Sequence, residues 1–421
     1  MLKELVEDHK NIPHSASLAC FTFAIFTFGL GFAEPYLPIF LKNLGGNLIL
    51  VGFFVALGAI ASLFLTSPVE ILRRRVDSRK LLIVGKLFYV LGGIFLFLAG
   101  YLKSIPVLTI GIILLGLGYP LVWLLTEAYL RESSSLRHSS PISSLFMFSW
   151  FFAWLLGALF SSELVRSFPI HYLFLIISIF SLISLLFDLQ LTKTSKKASP
   201  EKALISDDHF YGKMLQEMKK DDPRLPYVVT LKFFWEVIFW IALIFIPIFA
   251  FQYFALYQVA FVVCATFLPF LFSPFLRKFT QKIDRFEVIV FGFIILAVTL
   301  GLFAFIGDPR WIYILGLTLS LFLAATKPVI ADFITTLTPE KRRKDILGLT
   351  FLIKRLGMIL GVIVFGLIAE YFGIPRAMFV FGIITLVLGL GSIGLKEKYR
   401  KNLKTINQSK HHFRFHPHFG D

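Results

Sequence analysis

The sequence predicts an all-α protein that crosses a membrane about twelve times, built as two similar six-helix halves. Three observations predict it. The chain is 57% hydrophobic, has a mean hydropathy of +0.78 and carries charge on only 16% of its 421 residues. A soluble chain of this length needs far more charged surface. The charges are also clustered, which leaves apolar stretches of about 20 residues that can cross hydrocarbon only as helices. Finally, a basic island recurs half a chain apart. The first copy is Ser67-Pro68-Val69-Glu70-Ile71-Leu72-Arg73-Arg74-Arg75-Val76-Asp77-Ser78-Arg79-Lys80, and the second is Ser273-Pro274-Phe275-Leu276-Arg277-Lys278-Phe279-Thr280-Gln281-Lys282-Ile283-Asp284-Arg285. Both begin Ser-Pro at the end of an apolar run. Both place a basic residue, an apolar residue and an Asp in that order (Arg75-Val76-Asp77, Lys282-Ile283-Asp284), and both lead into another apolar run. Such an offset is the mark of an internally duplicated molecule.

In chain order, residues 1–14 are polar and mixed in charge, without the basic start and small-residue cleavage site of a signal peptide, so the first apolar run reads as a retained helix. The first bundle, 15–190, holds spans near 16–40, 47–68, 81–101, 105–130, 142–165 and 169–190. A polar, charged linker follows at 191–225, with a stretch around 208–220 suited to a short surface helix. The second bundle, 226–395, holds spans near 226–251, 254–276, 286–306, 311–337, 346–372 and 375–395. The tail, 396–421, is basic and ends in His411, His412, His416 and His418. It reads either as a metal-binding or pH-sensitive element or as a disordered tether.

Lys and Arg set the expected orientation. One set of connections holds Arg73 to Lys80, Arg131, Arg137, the linker, Arg277 to Arg285, Lys341 to Lys344 and the tail; the other holds little more than Lys42, Lys103, Arg166, Arg310 and Arg376. The bias is roughly six to one, and the rich side faces the cytoplasm, with both termini inside. The formal charge of +16 is therefore a topology signal, with a secondary part in holding anionic lipid, rather than a nucleic-acid footprint. The two cysteines, Cys20 and Cys264, lie inside apolar runs and offer neither a disulfide framework nor a metal site. No phosphate-binding Gly-Lys-Ser/Thr loop, His-Glu-x-x-His or Gly-x-Ser-x-Gly is present, so no enzyme and no cofactor is expected.

Six plus six helices around a charged linker, with a basic loop after helix two repeated after helix eight, resemble the major facilitator superfamily of secondary transporters over roughly residues 15–395. Gly31-Phe32-Ala33-Glu34-Pro35-Tyr36-Leu37-Pro38-Ile39-Phe40-Leu41 resembles the family's first helix with its Pro-x-x-Pro ending. The loop 67–80 resembles the family's loop motif Gly-x-x-x-Asp-Arg-x-Gly-Arg-Arg, although Glu70 replaces its Gly and Arg74 its Asp. Arg75, Asp77, Arg79 and Lys80 fit looser variants. Gly357, Gly361 and Gly366 resemble the small-residue spacing of the family's packing helices. The resemblance implies that the loop clasps helix eleven, with Asp77 as the carboxylate of that contact. It also implies a cavity lined chiefly by helices one, four, seven and ten. Two family signatures are missing: Gly-x-x-x-Gly-Pro-x-x-Gly-Gly on helix five, around Trp154 to Ala158, and a membrane-embedded Arg on helix four before Arg131.

Ionisable residues inside a bilayer cost several kcal/mol and mark water-filled paths or partners. They fall here on the helices that the resemblance assigns to transport: Glu34 on helix one, Glu127 on four, Lys232 and Glu236 on seven, Lys327 and Asp332 on ten. The interiors of helices six, nine and twelve read as having none, and helix three has Lys86 near one end. Lys232 and Glu236 are one turn apart and able to pair, with Trp235, Phe239 and Trp240 on roughly that face. This group reads equally as a ligand platform or as an ion pair at the interface with belt tryptophans. Glu34 precedes Pro35, which can open the helix, and a carboxyl there suits proton loading or the outer headgroup boundary. Pro120, Trp123 and Glu127 form one stripe; Trp123 is a cavity candidate and Glu127 a gate candidate. Lys327 and Asp332 are about 140° apart around the helix. Lys327 is thus expected in the cavity, pairing Glu236 or holding an anion, and Asp332 near the cytoplasmic end. Lys354 and Arg355 are expected to meet the Asp77 loop or headgroups, and Asp284 to repeat the gate role of Asp77.

The expectation is a monomeric secondary transporter of the plasma membrane, moving a small organic solute by alternating access and coupled to protons. An uncoupled facilitator and a non-transporting scaffold or sensor with the same fold are the alternatives.

Overall fold

Pro35, which has no amide hydrogen, shapes the first structural feature of the chain. In the computed structural model, which describes residues 13–73, 75–132, 139–191, 222, 224–280, 282–338 and 343–412, the first span α1 runs His14–Ala33. It breaks over Glu34-Pro35-Tyr36 and resumes as Leu37–Gly45. The break is closed as a turn by the Tyr36 amide donating to the Ala33 carbonyl at 3.0 Å. Gly46 ends the resumed piece at φ 82°, a left-handed position that suits glycine.

The remaining spans are α2 (Leu48–Arg73), α3 (Ser78–Leu102), α4 (Ile105–Glu132), α5 (Ser139–Ser167) and α6 (Tyr172–Asp188) in the first half. The second half has α7 (Leu225–Ala250), α8 (Leu256–Leu271, followed by a short helix Ser273–Thr280), α9 (Arg285–Leu302), α10 (Trp311–Leu337), α11 (Arg343–Phe372) and α12 (Ile374–His412). Ten of the described helices are long and apolar enough to cross a membrane. Two more, Tyr172–Asp188 and Leu256–Leu271, are apolar and shorter. Large exposed side chains such as Phe64, Phe291, Phe305 and Tyr371 ring the outside, as a lipid-facing surface requires.

The duplication is visible in the packing. Within the first half, α1 packs on α5, α2 on α4, α3 on α4 and α3 on α6. Adding six to each number gives the contacts of the second half: α7 on α11, α8 on α10, α9 on α10 and α9 on α12. The halves meet along α2 with α11 and α5 with α8. At the first seam a Cβ on Gly52 would stand 2.5 Å from the Val362 carbonyl oxygen, and one on Gly366 would stand 2.7 Å from that of Leu48. Only glycine allows this approach. The seam ends where Glu370 of α11 accepts a hydrogen bond from the Leu48 amide at 2.7 Å, satisfying an open donor of the α2 N-terminus.

The repeated Asp has a local role in both halves. Asp77 caps α3 by accepting from the Arg79 amide at 3.1 Å, and Asp284 caps α9 by accepting from the Phe286 amide at 2.8 Å. Each carboxylate thus serves its own helix as an N-cap. Arg79 reaches the Leu191 carbonyl at 3.3 Å, tying the loop to the start of the linker, while Arg75 is exposed. At the far side of the linker Asp222 holds Arg224 at 2.6 Å. Burial raises the Asp222 carboxyl, but hydrogen bonds and charge from Arg224 outweigh this and hold it below the usual range.

The last residue of helix six, Asp188, is a buried carboxylate that meets Lys86 of α3 at 2.5 Å. Lys86 also donates to Ser184 Oγ at 2.5 Å, and Ser184 donates onward to the Thr22 carbonyl of α1. A difference lies at the C-terminal end. Helix α12 continues past the span to His412, where the sequence suggests a tether or a histidine element beginning at 396. The expected helix at 208–220, Arg74, His416 and His418 lie outside the described residues.

Candidate functional site

Between the halves, near the middle of the long helices, lies a cavity lined largely by aromatic side chains. Its walls come from α1 (Glu34), α4 (Tyr119, Trp123), α5 (Trp150, Phe151, Trp154), α7 (Trp235, Glu236, Phe239, Trp240, Leu243), α8 (Phe267), α10 (Lys327) and α11 (Lys354). The space among them is about 640 Å³, counting the part open to solvent.

The α1–α5 wall is built by glycines. A Cβ on Gly31 would lie 2.1 Å from the Trp154 carbonyl oxygen, and one on Gly157 would lie 2.1 Å from that of Phe28. With the two backbones in contact, Trp154 Nε1 donates to Glu34 Oε2 at 2.5 Å. The helix break places Glu34 where its side chain faces the cavity. A buried carboxylate must have such a donor, and the indole supplies one without bringing a charge.

The α7 wall carries the ion pair. Lys232 Nζ donates to Glu236 Oε1 at 2.6 Å, with both side chains buried. Glu236 lines the cavity, whereas Lys232 stands behind it, 4.5 Å over the Trp235 ring. Trp235 is held by donating to the Leu323 carbonyl of α10 at 3.0 Å, and its ring stacks on Phe239. Gly357 and Gly361 of α11 fit against Glu236 and Val237, which brings α11 close enough to contribute to the wall.

The cations converge from the other helices. Lys327 sits 5.6 Å from the Trp235 ring and 6.0 Å from the Trp150 ring. No described carboxylate lies within salt-bridge distance of it. Lys354 is 3.4 Å from the Tyr119 hydroxyl. Arg355 is buried with its guanidinium 3.8 Å over the Tyr119 ring, and that ring in turn stacks on Trp123 at 4.6 Å. Cations over aromatic faces are favourable where water is scarce.

The structure therefore brings together Glu34, Trp123, Trp235, Glu236 and Lys327, places Lys232 one layer behind, and moves Lys354 from the expected gate loop into the cavity wall. Arg355 lies behind the lining, on the Tyr119 ring, while Gly357 and Gly361 seat α11 against α7. Glu127 and Asp332 are not among the lining residues, and each has an interaction of its own. Tyr119, Trp150, Phe151, Trp154 and Phe267 are lining residues missed from the sequence. A usable signal was present for one of them: Trp154 lies one turn before Gly157, a glycine in a span that needs a close neighbour. Among the described residues no cluster of His, Cys, Asp and Glu could hold a metal ion.

Comparison with known proteins fits this architecture. The structure is similar to that of the nucleoside transporter NupG, at 16% identity and a TM-score of 0.71, covering 91% of this chain and 99% of that one. A POT family transporter in complex with 5-aminolevulinic acid gives 12% identity and a TM-score of 0.74, covering 92% and 96%. The D-xylose-proton symporter gives 16% and 0.73, covering 90% and 96%. At such identities the likeness establishes the fold. No curated protein matches the chain in sequence. A sequence profile of the Major Facilitator Superfamily matches residues 19–263 and 254–419, nearly the whole length. This chain is a multi-pass membrane transporter belonging to the major facilitator superfamily.

Proposed function

We propose that the protein is a proton-coupled secondary transporter of a small organic solute, working at the plasma membrane with both termini cytoplasmic. The observation that carries the reading is one cavity, between two duplicated halves, that gathers Glu34, Glu236, Lys327 and Lys354 from four helices. Rocking of 15–190 against 226–395 about the α2–α11 and α5–α8 seams exposes that cavity to each side in turn. Glu34 is the proton carrier in this reading. Its single short contact is to an indole, so gain or loss of a proton changes its charge without breaking a salt bridge. Glu236 is held as a carboxylate by Lys232 and serves the solute. The protein works as a monomer, its lipid-facing belt supplied by its own exposed apolar side chains. That a structural neighbour is a D-xylose-proton symporter supports coupling as a property this fold accommodates.

The test is reconstitution in proteoliposomes with a pH-sensitive dye inside, against sugars, amino acids, organic acids and cationic drugs. Solute-dependent proton flux is expected, and Glu34→Gln abolishes the flux while leaving solute exchange. Tracer uptake without proton movement in both forms would replace the reading with an uncoupled facilitator. Neither flux nor exchange from folded protein would leave a non-transporting membrane scaffold.

A further inference from the structure

The unsatisfied polar atoms around this cavity all have the same character. Trp123 Nε1 and Trp240 Nε1 are buried without a hydrogen-bond acceptor, and so are Nε and Nη2 of Arg355, whose guanidinium lies on the cavity-lining ring of Tyr119. Lys327 lies beside the Trp150 and Trp235 rings with no described carboxylate in salt-bridge contact, and Lys354 has the Tyr119 hydroxyl. Every one of these groups is a donor. The cavity carboxylates each hold one donor already: Glu34 takes the Trp154 indole and Glu236 takes Lys232.

Leaving buried donors without acceptors is costly, and such groups in native structures call for a partner that completes them. What completes this set must bring acceptors and negative charge. Lys232, Lys327, Lys354 and Arg355 also outnumber the carboxylates Glu34, Glu236 and Glu127 in and around the cavity. The walls impose a second requirement. Tyr119, Trp123, Trp150, Trp154, Phe239 and Phe267 make the lining largely aromatic. A flat body fits against such a lining at little cost in order.

We propose that the solute is an organic anion with a planar apolar body, an aryl or heteroaryl carboxylate in chemical class. Its carboxylate lies between Lys327 and Lys354, and its ring lies against the tryptophan walls. This inference rests on the transporter reading above and narrows it. Glu34, on the opposite wall, stays free for the proton, so that anion and proton cross together.

Binding to the purified full-length protein in lipid nanodiscs tests it, read by tryptophan fluorescence and thermal unfolding. The probes are phenylacetate and indole-3-acetate, their neutral amides, and the amines phenethylamine and tryptamine. The acids are expected to quench saturably and raise Tm, the amides to bind roughly tenfold more weakly or less, and the amines not to bind. Lys327→Gln and Lys354→Gln each weaken acid binding roughly tenfold, while Lys327→Arg keeps it. Amides or amines that match the acids, or acids that fail to saturate, overturn the proposal. The ranking on the unsubstituted protein decides the matter even where a variant does not fold. Proton-coupled flux of a neutral or cationic solute in proteoliposomes would keep the transporter reading and discard the anion.

Discussion

Two buried lysine–carboxylate pairs with nearly equal geometry do different work in this molecule. Lys86 and Asp188 meet at 2.5 Å and join two helices of one half, α3 and α6. Lys232 and Glu236 meet at 2.6 Å within a single helix, α7. The first pair is surrounded by Ser184 and Thr22 and has no face on the cavity. The second presents its carboxylate to the cavity and tucks its ammonium behind. Pairing between elements spends both charges on the fold. Pairing within an element leaves the surrounding helices free to move and keeps a charge in reach of a ligand. What separates structure from function here is where the partner comes from, since distance and burial are alike.

The largest expected effect breaks the inter-helix pair. Asp188→Ala leaves Lys86 buried without its counter-charge and costs about 3–5 kcal/mol, seen as a fall in Tm. The double variant Lys86→Met with Asp188→Leu restores most of it. Glu236→Gln is expected to cost less, about 1–3 kcal/mol, because a neutral acceptor remains and cavity water reaches it. Its stability loss is smaller and its transport loss larger than that of Asp188→Ala, and equal rankings in both assays would erase the distinction. Glu370→Gln weakens the charge-assisted bond to the Leu48 amide by about 1 kcal/mol. It lengthens spin-label distances between the adjoining ends of α2 and α11 without lowering Tm appreciably. The smallest effect is at a repeated cap: Asp284→Ala costs about 1 kcal/mol, and Asp77→Ala a similar amount if the two loops are equivalent.

The duplicated basic loops and apolar run lengths made the twelve-span, two-half fold legible, because lipid leaves the backbone so few options. The break in α1 was legible from Pro35. The site was legible where a charge interrupted an apolar run, as at Glu34, Glu236 and Lys327. It was not legible where a residue's direction depended on helix packing. Lys354 and Arg355 sit in a polar-looking stretch near the start of α11, and only the packing of α11 on α7 brings Lys354 to the cavity wall. Asp188 falls at the very end of its span, while Lys86 gives no hint of the helix that answers it. Trp150 and Trp154 resemble the many other aromatics of a chain with 50 phenylalanines.

The glycines at the α2–α11 seam bear on the speed of the molecule. Where side chains interlock, two surfaces part only after each knob has left its hole, and the barrier rises with every one withdrawn. At Gly52 and Gly366 backbone lies against backbone with nothing inserted. Such a contact gives way by sliding or rolling, with little friction, so closure there can be firm at rest and still brief.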